Sequence, residues 1–133
     1  MLKKIILSLI LATILIGAVS AVSINDFKLP DGFTVESEYW ASNDNFGLSI
    51  TEYNDDDYDY YFTNTSDYLV VTAGNITNYT DHTSSQVGCD EVIILDGEKL
   101  LIECYHENPN RLDDCYSYLL EFNKLNNVEP ISV

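Results

Sequence analysis

The fold is indicated most clearly by the stretch Val92-Ile-Ile-Leu-Asp-Gly-Glu-Lys-Leu-Leu-Ile102, in which two apolar runs flank Asp96 and Gly97. An Asp-Gly pair suits the positive φ angles of a two-residue type I′ turn, so this stretch predicts a β-hairpin. In that register Ile93 faces Leu100. Counting outward along both strands then places Cys89 directly opposite Cys104.

Earlier segments predict further strands. Residues 33–40 alternate loosely, and residues 46–51 alternate with one apolar face. Residues 57–63 read as a half-buried third strand with an acidic outer surface. Tyr68–Ala73 is apolar on both faces and therefore predicts a central fourth strand. Residues 74–86 have little periodicity and are expected to form a surface loop.

A helix follows the hairpin. Asn108 and Pro109 form a helix-start signal, and Asn126 with Asn127 can end a helix in the left-handed conformation. Residues 112–125 between them have apolar side chains at helical spacing. Residues 128–133 would add a last strand, which Pro130 confines to an edge. The pattern predicts an α+β fold: a mainly antiparallel sheet of about six to seven strands with one C-terminal helix packed on one face.

The N-terminus has the pattern of a secretory signal. Lys3 and Lys4 precede an apolar run over residues 5–22, and residues 19–21 are small enough for a cleavage site. An uncleaved membrane anchor is the alternative, because about 17–25 apolar residues span a bilayer. The sequence thus predicts a signal peptide over residues 1–22, a single acidic domain over residues 23–133, and a secreted or cell-surface location.

The charge balance restricts the partners. The chain has 22 acidic and 6 basic residues, and loss of Lys3 and Lys4 leaves a net charge of about −18. Such a surface repels phosphate backbones, so nucleic acid is not expected to bind. Solubility and mutual repulsion at the cell exterior explain the charge without a specific partner, and a cationic or protein surface there is the candidate partner. Membrane contact is expected only through residues 5–22 if they are not cleaved, and no cofactor is predicted.

Three short segments carry a resemblance to a known group of proteins. They are Leu29-Pro-Asp-Gly-Phe33, Leu95-Asp-Gly-Glu-Lys99 and the ending Phe122-Asn-Lys-Leu-Asn-Asn-Val-Glu-Pro-Ile-Ser-Val133. In these segments the chain resembles uncharacterised small secreted proteins of methane-producing archaea, a family without an assigned activity. The resemblance implies export and a single domain, and it supplies no catalytic residues.

The three cysteines allow at most one internal disulfide. Directly opposed residues in an antiparallel pair have Cα atoms about 4.5–5.5 Å apart, which a disulfide can bridge. Cys89 and Cys104 are therefore the predicted pair. The alternatives are a Cys104–Cys115 bond and three buried free thiols. A zinc site formed by these cysteines and His106 has suitable ligand types but lacks the usual paired spacing.

Alternating acids suggest a calcium site. Asp55, Asp57 and Asp59 resemble the start of a calcium-binding loop, yet Tyr60 and Ser66 occupy the positions where an EF-hand has Gly and Glu. These three aspartates are thus candidates only for a weak calcium site of another kind. A solvated acidic surface explains them equally well.

Three sequons occur close together. Asn64, Asn75 and Asn78 each begin an N-x-[ST] motif. Export makes N-glycosylation possible, so these residues are candidate glycosylation sites and are expected at the surface.

No catalytic motif is evident, and a non-enzymatic interaction module is the favoured function. Its recognition would use acids and exposed tyrosines such as Tyr61 and Tyr79, because Tyr combines apolar area with a hydroxyl. The second function is a small extracellular hydrolase that uses His82 and Asp81. The third is calcium binding by the aspartate cluster.

Overall fold

The computed structural model describes residues 22–133. The signal peptide or anchor predicted over residues 1–22 therefore lies outside the described residues, apart from Val22. Within the described range, no helix is both long and apolar enough to cross a membrane.

The described chain folds into one antiparallel sheet with two α-helices, which confirms the predicted α+β fold. The strands lie in the order β1-β2-β3-β7-β6-β5-β4. Short 3-10 turns occupy Ile24–Asp26, Asp55–Asp57 and Pro109–Arg111. The strands are β1 (Thr34–Val35), β2 (Trp40–Asn43), β3 (Phe46–Glu52), β4 (Tyr68–Ala73), β5 (Ile76–Asp81), β6 (Gln86–Leu95) and β7 (Glu98–His106), and the helices are α1 (Tyr58–Phe62) and α2 (Leu112–Asn126).

The β6–β7 hairpin is confirmed in both turn and register. Asp96 and Gly97 have φ angles of 52° and 83°, as a type I′ turn requires. Ile93 pairs with Leu100, and the same register places Cys89 opposite Cys104. Because β6 and β7 are the longest strands described, this pair forms the centre on which the other strands add.

Helix α2 covers one face of the central strands, as predicted. The Asn108 side chain accepts a hydrogen bond from the Asn110 N–H at the start, and Asn127 ends the helix with a φ of 53°. Apolar side chains of α2 enter the main core because they recur at helical spacing. This core includes Cys115, Leu119 and Phe122 from the helix and Leu48, Ile50, Ile93, Leu100 and Ile102 from the sheet.

The predicted third strand over residues 57–63 is wrong, because this segment forms helix α1. The Asp57 carboxylate accepts the Asn54 N–H at 3.0 Å, which closes the preceding 3-10 turn. Acidic residues in a first turn also favour a helix, since they face its positive end. The alternating aromatic residues imitate a strand, but Tyr58 and Phe62 are instead neighbours along the helix, with ring centroids 5.8 Å apart.

Strand β4 has the predicted bounds but lies at the sheet edge, so the prediction of a central strand is wrong. The Val71 side chain is 58% exposed, because α2 packs on β6 and β7 and leaves β4 uncovered. The predicted loop over residues 74–86 is also wrong, since it contains β5 and the start of β6. A local reading of apolar content cannot tell a buried strand from an exposed edge.

Both ends of the sheet differ from the prediction. The first strand predicted over residues 33–40 is replaced by the two-residue strand β1 and by β2, which begins at Trp40. The last strand predicted over residues 128–133 is reduced to one bridge, in which the Ile131 N–H donates to Val92 O at 2.7 Å. This tail contacts β6 where β5 no longer accompanies it.

A buried polar contact joins α2 to the sheet. Asn123 Nδ2 donates to Glu91 Oε1 at 2.7 Å, and both residues are buried. Glu91 Oε2 and Asn123 Oδ1 have no hydrogen-bond partner among the described residues. Burial raises the pKa of Glu91 to about 7, while the bond from Asn123 acts in the opposite direction. The Glu91 carboxyl group is thus mostly protonated below about pH 7 and mostly ionised above it.

We expect Glu91→Gln to make the free energy of unfolding less dependent on pH. The raised pKa means that the stabilising effect of protonation is complete below about pH 4.5 and is lost as the pH rises through about 7. Between pH 5 and 8 the wild type should lose about 2–3 kcal/mol more than the variant. Urea denaturation at a series of pH values measures this difference.

The matched control is Glu121→Gln, which neutralises an exposed acid on helix α2. It should leave the pH dependence of unfolding as in the wild type. Parallel pH curves for wild type and Glu91→Gln would contradict the assignment of a protonated Glu91.

Candidate functional site

The face of the sheet opposite α2 is covered only in part. Tyr53, Phe62, Val92 and Leu101 form a small second apolar cluster there, with α1 as its cover. The remaining area, over β5 to β7, is enclosed by tyrosine side chains from three elements. The candidate functional site lies on this second face of the sheet.

A cavity of about 220 Å³ lies among these tyrosines, and we refer to it as the tyrosine pocket. The Tyr60 and Tyr61 rings meet edge to face at 4.7 Å between centroids, and Tyr68 stacks on Tyr79 at 5.2 Å. Helix α1 therefore supplies one wall, and β4 with β5 supplies the other. The pocket is lined by Tyr60, Tyr61, Tyr68, Tyr79, Asp81, Gln86 and Glu103.

A chain of hydrogen bonds crosses the floor of the pocket. Gln86 Nε2 donates to the Tyr79 hydroxyl at 2.6 Å, and this hydroxyl donates to Glu103 Oε2. Tyr79 is only 2% exposed, so its ring and hydroxyl are held in place. Gly88 permits this position, because a Cβ there would lie 2.7 Å from the Tyr79 ring. These two hydrogen bonds hold Oε2 of the Glu103 carboxyl group in position.

Asp90 lies beside Glu103 on the neighbouring strand. The two residues are directly paired across β6 and β7, so their side chains share the face of the pocket. Asp90 is fully buried, and neither of its carboxyl oxygens has a hydrogen-bond partner among residues 22–133. Buried polar groups of this kind are rare in folded proteins and call for an explanation.

Burial determines the ionisation of the pair. It raises the pKa of Asp90 well above its usual value, and the neighbouring charge of Glu103 raises that pKa further. Burial also raises the pKa of Glu103, although the hydrogen bond from Tyr79 acts in the opposite direction. Two adjacent carboxylates repel each other, so at least one proton is favoured on the pair near neutral pH.

The rim of the pocket is acidic. A second concavity adjoins it and shares Tyr60, Tyr68 and Asp81 with it, and Asp59 and Asp67 lie on its outer side. Hydrogen bonds from Thr83 hold the pKa of Asp81 below its usual value, so this rim residue is a carboxylate. The Asp90–Glu103 pair therefore lies beneath an acidic rim that includes the Asp81 carboxylate.

The three aspartates predicted as calcium ligands each make a different local contact. Asp55 pairs with Lys99 at 3.1 Å, Asp57 accepts the Asn54 N–H, and Asp59 accepts from Thr63 at 3.4 Å. Within the described residues, no group of three or more His, Cys, Asp or Glu side chains is arranged to hold a metal ion.

The three cysteines lie together in the main core as free thiols. The Cys89 thiol donates to Asn78 Oδ1 at 2.8 Å, and the Cys104 thiol is hydrogen-bonded with Cys115. The Cys89–Cys104 disulfide stays a prediction, although the strand register on which it rests is confirmed. His106 accepts the Asn108 N–H through Nδ1, so this nitrogen is already engaged and does not favour the zinc alternative.

The sequons differ in their surroundings. Asn64 is exposed and accepts the Val70 N–H, and Asn75 is exposed and donates to Pro130 O. Asn78 lies on β5 instead of in a surface loop, and its side-chain oxygen accepts the Cys89 thiol. Asn78 is half-buried on a strand and not in the predicted loop, and glycosylation of Asn64, Asn75 and Asn78 stays a prediction.

Of the two tyrosines predicted to be exposed, Tyr61 lines the pocket but Tyr79 is buried, so the prediction is wrong for Tyr79. Asp81 lies at the rim, and its neighbour His82 is exposed and does not line the pocket. Asp90 and Glu103 were not among the site residues predicted from the sequence. The hairpin register contains the missing signal, because the same count that pairs Cys89 with Cys104 pairs these acids at the next position.

Comparison with known proteins adds no further assignment. No family model, curated protein or solved structure matches this chain. The class of protein is therefore defined by its own features: an α+β domain with an acidic, tyrosine-lined pocket.

We expect Gly88→Ala to displace Tyr79 and open the floor of the pocket. The added methyl group would lie 2.6 Å from Cys104 O and 2.7 Å from the Tyr79 ring, so the ring must move. Overpacking of this kind typically destabilises a protein by about 1–3 kcal/mol. Loss of the ring-current shifts between Tyr68 and Tyr79 in NMR spectra measures the displacement.

Gly47→Ala is the matched control, because its methyl group would clash with the Tyr105 ring outside the pocket. It should destabilise the protein to a similar extent but leave the Tyr68 and Tyr79 signals in place. Unchanged Tyr79 signals in Gly88→Ala would contradict the described packing.

Proposed function

We propose that this protein is an exported, non-enzymatic interaction module that binds a basic protein surface through its tyrosine pocket. One observation carries the proposal: four tyrosines and a half-buried carboxyl group line a single cavity with an acidic rim. Export itself is an expectation from the apolar N-terminal segment.

The lining favours a cation. Aromatic faces attract ammonium and guanidinium groups, and the attraction increases when the cation is shielded from water. None of the seven described lining residues is Lys, Arg or His, so no positive side chain of the lining competes for Glu103. The strongly negative net charge would also steer a basic partner toward this surface.

The size favours a single side chain. Sites for drug-sized molecules usually have volumes of about 300–1,000 Å³. The tyrosine pocket, at about 220 Å³, is smaller and suits one Lys or Arg side chain inserted from a partner. The adjoining acidic concavity would then contact neighbouring basic residues on the same partner.

We expect Tyr60→Ala to weaken binding of hexalysine by about 3- to 30-fold, the loss that corresponds to one cation–π contact. Tyr60 is 76% exposed, so its truncation should leave the fold intact. Isothermal titration calorimetry at physiological salt measures the affinity. Tyr39→Ala is the control, because Tyr39 is an exposed tyrosine outside the pocket.

The net charge alone attracts any polycation, so the contrast between these two variants is decisive. Equal affinities of Tyr60→Ala, Tyr39→Ala and wild type would show that binding is nonspecific and would refute the proposal.

A small extracellular hydrolase is the second candidate, and one observation favours it. Asp90 and Glu103 form a pair with raised pKa values beside a cavity, and such a pair can supply both a general acid and a general base. The residues first considered for this role were His82 and Asp81. They do not act together in the pocket, because Asp81 lines it and His82 does not.

If the protein hydrolyses esters, peptides or glycosides, the activity should fall by about 100-fold or more in Glu103→Gln, the scale of a lost general acid or base. It should persist in His82→Ala. Assays of the purified domain against chromogenic substrates of the three classes measure this. Activity that survives Glu103→Gln would exclude the carboxyl pair as its source.

A further inference from the structure

We infer that the Asp90–Glu103 pair exchanges one proton for one ammonium group, so that lysine binding in the tyrosine pocket is linked to proton release. This inference rests on the proposed function and specifies the ligand class and the proton release that accompanies binding. The ligand class is a primary ammonium group on an extended aliphatic chain.

The position of the pair supports an exchange. Glu103 lines the cavity, and Asp90 is paired with it on the same face but is fully buried. The Tyr79 hydroxyl occupies Glu103 Oε2. The oxygens of Asp90 have no partner in the described chain, and both carboxyl groups lie close to the same tyrosine rings. A cation that enters the pocket would therefore meet the Glu103 carboxyl group with that of Asp90 beside it, and the Asp81 carboxylate at the rim.

The exchange conserves charge at the site. Before binding, the pair holds one proton and has a net charge of −1. When R–NH₃⁺ enters, the O–H bond of the protonated carboxyl group breaks, its electron pair stays on oxygen, and the proton leaves to solvent. Two carboxylates and one ammonium group again give a net charge of −1. No oxidation or reduction takes place, and no co-reactant is needed.

Among residues 22–133, no side chain that lines the pocket supplies a competing cation. The groups that face the pair from α1, β4, β5 and β7 are tyrosines and acids, and burial together with the neighbouring acids raises the pKa of Tyr61, Tyr68 and Tyr79. These tyrosines stay neutral at physiological pH. The facing titratable groups are Tyr60, Tyr61, Tyr68, Tyr79, Asp81 and Tyr105.

Isothermal titration calorimetry of the full chain can count the protons released on binding. The probe is Nα-acetyl-lysine methylamide, and the neutral comparison is Nα-acetyl-norleucine methylamide, which lacks the ammonium group. Titrations at pH 5, 6, 7 and 8 are repeated in two buffers with different ionisation enthalpies. The lysine side chain stays protonated throughout this range, since its usual pKa is about 10.4.

We expect release of about one proton per lysine probe where the pair is protonated, with affinity rising by up to about tenfold per pH unit. Asp90→Asn should reduce the release to a small fraction of a proton while retaining measurable binding. Glu91→Gln is the matched control, because this equally buried neighbour lies on the opposite face beneath α2. It should leave the release unchanged.

The outcomes separate this inference from the proposed function. Binding of the lysine probe without proton release at any of the four pH values would overturn the exchange and leave the interaction module standing. Unchanged release in Asp90→Asn would also overturn it. Equal binding of the norleucine probe would show an apolar site and refute the exchange, whereas the hexalysine comparison tests the module independently.

Discussion

The register of the β6–β7 hairpin is the constraint on which the rest of the structure depends. Alternate residues of a strand point to opposite faces, so the consecutive acids Asp90 and Glu91 are both buried but in different layers. Asp90 joins Glu103 on the pocket face, while Glu91 meets Asn123 beneath α2. A slip of one residue would exchange these two environments and separate both pairs. The two-residue turn at Asp96 excludes that slip.

The buried acids are unusual because the described chain provides so little positive charge near them. Lys99 with Asp55 and Arg111 with Asp114 form ion pairs at the surface, where such contacts add little stability. Protonation, not ion pairing, therefore makes the burial of Asp90 tolerable. Each face of the sheet accordingly contains a carboxyl group whose protonation favours the folded state: Asp90 on the pocket face and Glu91 beneath α2. An acidic protein built in this way is most stable on the acidic side of neutrality.

Local signals predicted the elements whose conformation is determined locally. The Asp96-Gly97 turn and the caps of α2 are of this kind, because one or two residues specify their backbone angles. The order of strands was not predictable in this way. Tyr68–Ala73 reads as a central strand because of its apolar side chains, yet it lies at the edge, where α2 leaves it uncovered. The pocket was not predicted for a related reason: it combines side chains from five separate elements, and only the pairing of Asp90 with Glu103 could have been counted from the hairpin.

Accessibility ranks binding ahead of hydrolysis for the carboxyl pair. A general acid and a general base must both reach the reacting atoms, whereas Asp90 has no exposed surface and only Glu103 lines the cavity. An electrostatic role needs no such access, because a buried charge acts over several ångströms where water is excluded. Asp90 can thus strengthen the hold of Glu103 on a cation without touching it. The tyrosines suit the same role: the Tyr79 hydroxyl orients the Glu103 carboxyl group, and the tyrosine rings offer a cation an attractive face without adding a competing charge.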